Sequence, residues 1–371
     1  MIRKFVLSLI ITCGTITASA LPNVNNLRDT ITDNNIVLPT SFETSIEALT
    51  NQWYEETFLE KGENISSNSK KQTVEPSDEL YIQRLQYLQN EGGFTIEMPY
   101  NIVVKSYIEI YTGKRSRSLV EKMLGLWLYY EPIFENALLQ EGLPIELKYL
   151  PIIESALNPN AVSPAAATGL WGFAPAIGLG LELEINSLVD ERRDTYKASQ
   201  KAAEFLKSLY KTYGDWSLAI AAYNCGPGNV NKAIRSAGGG KKDFWEIYNF
   251  LPKETRGYVP AFIAAAYVMN FHNEHGISAS LAEKPLVTDT VEIKHRVTFK
   301  QIADIVNIDV EAIKVLNPQY LKQIIPGGPN KTYSLILPSK NCYIYTQRQT
   351  KIQEERPRET VVVGKNREEK R

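Results

Sequence analysis

Pro151 to Phe173, read PIIESALNPNAVSPAAATGLWGF, constrains this chain more than any other stretch. The run that leads into it opens at Leu143-Pro144, and proline suits a first helical position, where its missing N–H would have no partner in any case. From there Ile145, Tyr149, Ile152 and Ala156 recur at helical spacing, as do Leu150, Ile153 and Leu157. A helix apolar on both faces is a buried helix. Glu154 is the only ionisable side chain between Tyr149 and Ala165, so it is expected where that helix meets a cleft. Apolar surroundings raise a carboxyl's pKa, because desolvation penalises the charged form. Such a group can donate a proton at neutral pH. The competing reading is a glutamate near a helix end, tied to backbone or to a basic neighbour, and spacing alone does not choose.

Asn158-Pro159-Asn160 then makes a turn cluster. Beyond it, small residues with Gly169 and Gly172 let a backbone approach a ligand closely, and Trp171 offers a flat apolar face of the kind on which sugars stack.

Glu154-Ser155, Ala161-Val162-Ser163 and Ala167-Thr168-Gly169-Leu170-Trp171 resemble the signature of lysozyme-like lytic transglycosylases, above all the membrane-bound type D group. The resemblance continues in Ala222-Tyr223-Asn224-Cys225-Gly226-Pro227-Gly228 and in Leu251-Pro252-Lys253-Glu254-Thr255-Arg256-Gly257-Tyr258-Val259. Five ordered blocks between Glu154 and Val259 are far more specific than any one motif. The resemblance implies a mainly α chain, a lysozyme-like helical catalytic domain acting on peptidoglycan glycan strands. Glu154 would be its catalytic residue. Ser155, Ser163, Gly169, Leu170, Trp171, Tyr223, Asn224, Glu254 and Tyr258 would bind substrate. No cofactor and no metal are implied. The family usually has Gln after Leu-Trp, where this chain has Gly172, so one amide that could bind substrate is missing.

Glycosidases normally use two carboxylates. Here one strong candidate stands alone, because Glu254 is the only other acid within a family block. By resemblance, Glu154 would first protonate the bridge between N-acetylmuramic acid and N-acetylglucosamine. It would then take the proton of the muramyl 6-hydroxyl, giving a 1,6-anhydro end. A weakly active or non-catalytic cell-wall binder and a hydrolytic muramidase are the alternatives.

The 371 residues are expected to divide into several parts. Residues 1–20 read as a secretory signal, with Arg3-Lys4, an apolar run from Phe5 to Ile11 and Ala18-Ser19-Ala20. The leader implies export to the periplasm or outer membrane, and it offers a route to membrane association, with lipidation at Cys13 the less favoured outcome. Residues 21–77 form a polar tether and 78–282 the helical domain. Residues 286–339 read strand–helix–helix–strand and resemble a divergent LysM domain, a small α+β (βααβ) module, with Arg296-Val297 in place of the usual Gly-Asp. Residues 340–371 are basic and polar, nine Lys/Arg against five Glu, and are expected to lack order.

Other signals are excluded or bland. A formal net charge of -1 gives no reason to expect nucleic acid. Asp190 to Asp194 reads as a solvated, mutually paired turn, with Asp194 as the N-cap of a following helix. His272 and His275 share a helical face without a third ligand at zinc-like spacing, and read as a surface pair. Cys225 and Cys342 fall in different domains, so no disulfide is expected. Oligomeric state is not legible in the sequence.

Overall fold

The computed structural model describes residues 76–280, 284–285 and 287–354, with side chains to 348. The leader 1–20, nearly all of the segment 21–77, and the tail beyond 354 lie outside them. Among the described residues the chain is mainly helical, and its strands lie in the C-terminal part.

Three helices come first: α1 (Asp78–Asn90), α2 (Ile102–Thr112) and α3 (Arg117–Gln140). Their caps follow from the sequence. Ser77 and Asn101 accept hydrogen bonds from the N–H of Leu80 and Val104. A 3-10 turn, Ile145–Tyr149, then leads into the short α4 (Leu150–Ser155). The stretch predicted as one helix from Pro144 is thus two pieces. Its charged residues are buried and satisfied: Glu146 Oε1 accepts from Ile96 N at 2.7 Å, and Lys148 Nζ lies 2.6 Å from Glu135 Oε1 on α3.

After the loop 156–174 come α5 (Pro175–Gly180), α6 (Thr195–Tyr213), α7 (Trp216–Cys225), α8 (Pro227–Ser236), α9 (Phe244–Ile247), α10 (Lys253–Arg256) and α11 (Tyr258–Phe271). Asp194 caps α6 as expected, and Gly214 ends it with a φ of 61°. The Gly226-Pro227-Gly228 break closes α7, but Pro227 also opens α8, which hydrophobic spacing had not suggested. Helix α11 is buried on every side and packs against α2, α4 and α7. A core helix of that kind fixes its neighbours rigidly, because interiors are close-packed. His275 is buried near its end, with Nε2 3.0 Å from Tyr267 Oη, so the expected surface pair is not one. The ring sits beside Arg84, and burial pushes its pKa down to about 4.

The C-terminal part contains β1 (Thr288–Ile293), β2 (Arg296–Thr298), α12 (Phe299–Val306), α13 (Val310–Leu316), β3 (Ile324–Pro326), β4 (Tyr333–Pro338) and α14 (Ser339–Glu354). Strand β1 pairs antiparallel with β4, Thr288 opposite Pro338, and β2 pairs antiparallel with β3. Order does not end at residue 340 as the composition suggested. Helix α14 buries Cys342 and Tyr345 in the core of this part, and two apolar anchors suffice to dock an otherwise polar helix. Cys225 and Cys342 are both thiols.

Asn317 ties the second helix of this part to β4. Its Nδ2 donates to Ile313 O (2.8 Å) and Ile336 O (2.7 Å), and its Oδ1 accepts from Ile336 N (2.8 Å), all with the side chain buried. Asn317→Ala leaves those backbone groups without partners. It is expected to lower stability by about 2–3 kcal/mol, read as a lower denaturant midpoint at unchanged slope.

Candidate active site

Glu154 stands one residue from the end of α4. The helix is stopped by Ala156 (φ 49°) and Leu157 (φ 62°), two buried non-glycine residues in the left-handed region. Such backbone costs on the order of 1–3 kcal/mol per residue and concentrates at functional sites. Here it turns the chain sharply, so that the loop 158–173 folds back over the helix end. That loop is braced by paired backbone bonds between Thr168 and Phe173 (3.0 and 3.2 Å) and by Gly169 N donating to Ala161 O (3.1 Å).

Ser155 is buried, with Oγ 2.9 Å from Pro151 O and 3.0 Å from Leu170 O. It fastens the loop to α4. Leu170 is buried, and so is Trp171, which corrects the expectation of an exposed stacking face. The indole lies edge-on to Phe134 at 5.3 Å, and its Nε1 donates to Ser199 Oγ at 2.9 Å. A large aromatic with a satisfied N–H is a core anchor rather than a platform. Ser163 is exposed and accepts from Ala167 N at 3.1 Å, shaping the loop tip. Gly169 has a φ of 84°, and a Cβ there would come within 1.9 Å of Arg192 O, so only glycine fits.

Glu154 itself is half-buried. The hydroxyl of Tyr258, in the first turn of α11, donates to its Oε1. Burial pushes the Glu154 carboxyl up from its ordinary 4.5 to about 7, and the hydrogen bond from Tyr258 offsets part of that rise. Among the described residues no ion pair engages it. Tyr223, on α7, donates its hydroxyl to Trp171 O at 2.7 Å, and Asn224 is exposed with Oδ1 held by Thr255 Oγ1 at 2.9 Å. Tyr223 therefore fixes the loop, while Asn224 is an exposed side chain tethered through its amide oxygen. Glu254 is exposed on α10 and does not join the cluster by any described contact. The geometry thus gathers Glu154, Gly172, Tyr223 and Tyr258, with Ser155, Leu170 and Trp171 behind them as framework.

The charges at 190–194 are the second correction. Asp190, Glu191, Arg192 and Asp194 are all buried rather than solvated. Arg192 forms a bidentate pair with Asp190 (Nε to Oδ1 2.9 Å, Nη2 to Oδ2 2.7 Å), and its Nη1 donates to Ala166 O (2.8 Å) and Phe173 O (3.0 Å). Both ends of the glycine-rich segment hang on one guanidinium. The same loop joins the C-terminal part: Asp190 N donates to Gln319 O and Leu321 N to Leu188 O, each at 2.9 Å, and Val189 is buried in that part's core. Glu184 adds contacts of 2.5 Å to Lys331 and 3.1 Å to Tyr333 Oη. No sequence signal marked this junction, since its partners lie more than a hundred residues apart.

Residues 131–246 match the Transglycosylase SLT domain, and residues 287–354 match the LysM-like domain of lytic transglycosylase MltD. The chain thus joins an SLT transglycosylase domain to an MltD-type LysM-like domain. It is similar to membrane-bound lytic murein transglycosylase D of Escherichia coli strains K12 and O6:H1, 34% identical over 181 residues, or 48% of this chain and 40% of each relative. The chain therefore spans less than half the length of these curated relatives. An Alteromonas protein described as a tributyltin chloride resistance protein is 42% identical over 96 residues, 26% of this chain and 46% of its own. Among solved structures, the 70 kDa soluble lytic transglycosylase of Escherichia coli aligns over 56% of this chain and 33% of its own, at 21% identity and a TM-score of 0.36.

Proposed function

We propose that the chain is a peptidoglycan lytic transglycosylase of the bacterial envelope, with Glu154 acting first as acid and then as base. One observation carries this: a half-buried carboxyl raised to about 7, hydrogen-bonded by a tyrosine and engaged by no basic side chain among the described residues. Neutral Glu154 gives its proton to the glycosidic oxygen as the bond to the muramyl anomeric carbon breaks. The muramyl 6-hydroxyl then attacks that carbon and returns its proton to the Glu154 carboxylate. No water is consumed, and the enzyme ends as it began. A single group can serve both steps because its pKa lies near working pH, and the internal hydroxyl gains from proximity.

The similarity to membrane-bound lytic murein transglycosylase D, with the signal-like residues 1–20, supports an envelope location. That no second carboxyl contacts Glu154 among the described residues speaks against a water-using muramidase. The LysM-like domain, with peptidoglycan as the shared substrate, supports a site that engages glycan strands.

The proton must be on Glu154 in the free enzyme, so kcat/KM is expected to fall about tenfold per pH unit above pH 7. A descending limb below pH 6 or above pH 9 would contradict the assignment. Stability follows with a determined sign. The folded-state pKa lies above the unfolded one, so the contribution is fully present below pH 4.5 and is lost as pH rises through 7. The rise from 4.5 to about 7, at 1.36 kcal/mol per pH unit, makes that contribution about 3 kcal/mol.

A further inference from the structure

Gly172 stands where the family's usual side chain would bring an amide. The space that the side chain would occupy is filled. Gly172 has a φ of 61°, and a Cβ built there would lie 2.1 Å from Glu154 Oε2, 2.8 Å from its Cδ and 3.3 Å from its Cβ. Real Cβ atoms do not approach that closely, so no side chain at 172 is compatible with the observed place of the carboxyl. Oε1 is meanwhile held by the Tyr258 hydroxyl. The carboxyl is gripped from one side by a tyrosine and seated on the other against bare backbone.

We propose that Gly172 is a positioning residue, whose missing side chain forms the seat in which the Glu154 carboxyl rests, so that any side chain at 172 drives the carboxyl out of it. This deepens the reading of Glu154 as acid and base and rests on it. The seat also explains the burial of the carboxyl, since a group drawn back against the loop backbone loses water that it would keep if pushed outward. On this account the substitution at 172 does more than delete an amide. It exchanges a contact to substrate for a retracted, proton-bearing acid.

The test reads the acid directly and needs no turnover. Glu154 is titrated by carbon-13 NMR in protein labelled at glutamate carboxyls, with its signal assigned by loss in Glu154→Gln. Gly172→Ala is expected to move the midpoint from about 7 down by about one pH unit or more, towards the ordinary carboxylate range. Gly142→Ala serves as control, because Gly142 has a φ of 67° and nothing within 4 Å of its built Cβ, so it carries the backbone strain without the seat. An unmoved midpoint in Gly172→Ala, or an equal shift in Gly142→Ala, overturns the proposal. Because Gly172→Ala risks misfolding, Glu154→Asp supplies a second arm. The shorter acid withdraws from the seat, so Gly172→Ala should cost no more stability in that background than Gly142→Ala does. If the double variant is destabilised as much as Gly172→Ala alone, the seat is refuted. Should the proposed reaction fail while these shifts appear, the seat stands and the activity falls.

Discussion

Replacing Glu154 with Gln is expected to lower cleavage of peptidoglycan strands by about 10²- to 10⁴-fold, with stability at about pH 4, where the carboxyl is neutral in both folded and unfolded chains, close to that of the parent. The amide is nearly isosteric, and its oxygen can still accept from Tyr258, the group that holds Oε1 now. Below pH 7 the native carboxyl is largely neutral, so the substitution removes no charge from the resting site. What it removes is the proton needed at the bridge oxygen and the base needed by the 6-hydroxyl. Above pH 8 the variant should be the more stable of the two, because it escapes the cost of an ionised, desolvated carboxylate. Loss of activity together with lost stability at about pH 4 would make Glu154 a structural residue and refute its catalytic role.

The second large effect concerns Arg192. Arg192→Met is expected to destabilise the chain by about 3–5 kcal/mol, because it leaves Asp190 as a buried charge without its partner. It also strips the carbonyls of Ala166 and Phe173 of their donor, and these carbonyls bracket the segment that contains Gly172. The melting temperature should fall by about 5 °C for a chain of this size. Replacing Asp190 and Arg192 together by apolar residues should cost less than the two single changes added, since neither charge is then stranded. Strict additivity would show that the pair acts independently. Because residues 188–190 also bond to residues 319–321, the same variant should loosen the C-terminal part, seen as faster amide exchange at Leu321.

Much of the helical framework was legible from apolar spacing and caps: Asp194, Gly214 and the fully buried α11 fell where expected. Glu154 was legible for a physical reason, its isolation in an apolar run. Its partner was less so, because Tyr258 is 104 positions away in the chain and only the packing of α11 on α4 unites them. Trp171 was misread since an aromatic among small residues fits a sugar platform and a core anchor equally well. The choice depends on Phe134 and Ser199, which sequence does not place beside it. The charges at 190–194 looked solvated because they balance locally. Nothing local reveals that two loop carbonyls and the C-terminal part close over them. Helix α14 was missed because its polar composition hides the two residues, Cys342 and Tyr345, that dock it.

At the centre of this account is one acid that serves twice and lets no water take part, and the ends left on cut glycan strands report on it most directly. Sacculi are digested with the purified chain and with Glu154→Gln, and the muropeptides are separated and weighed. Fragments ending in 1,6-anhydromuramic acid, lighter by one water than their reducing counterparts and missing with the variant, are the predicted result. Reducing ends as the main product, or anhydro ends that persist with the variant, would contradict it.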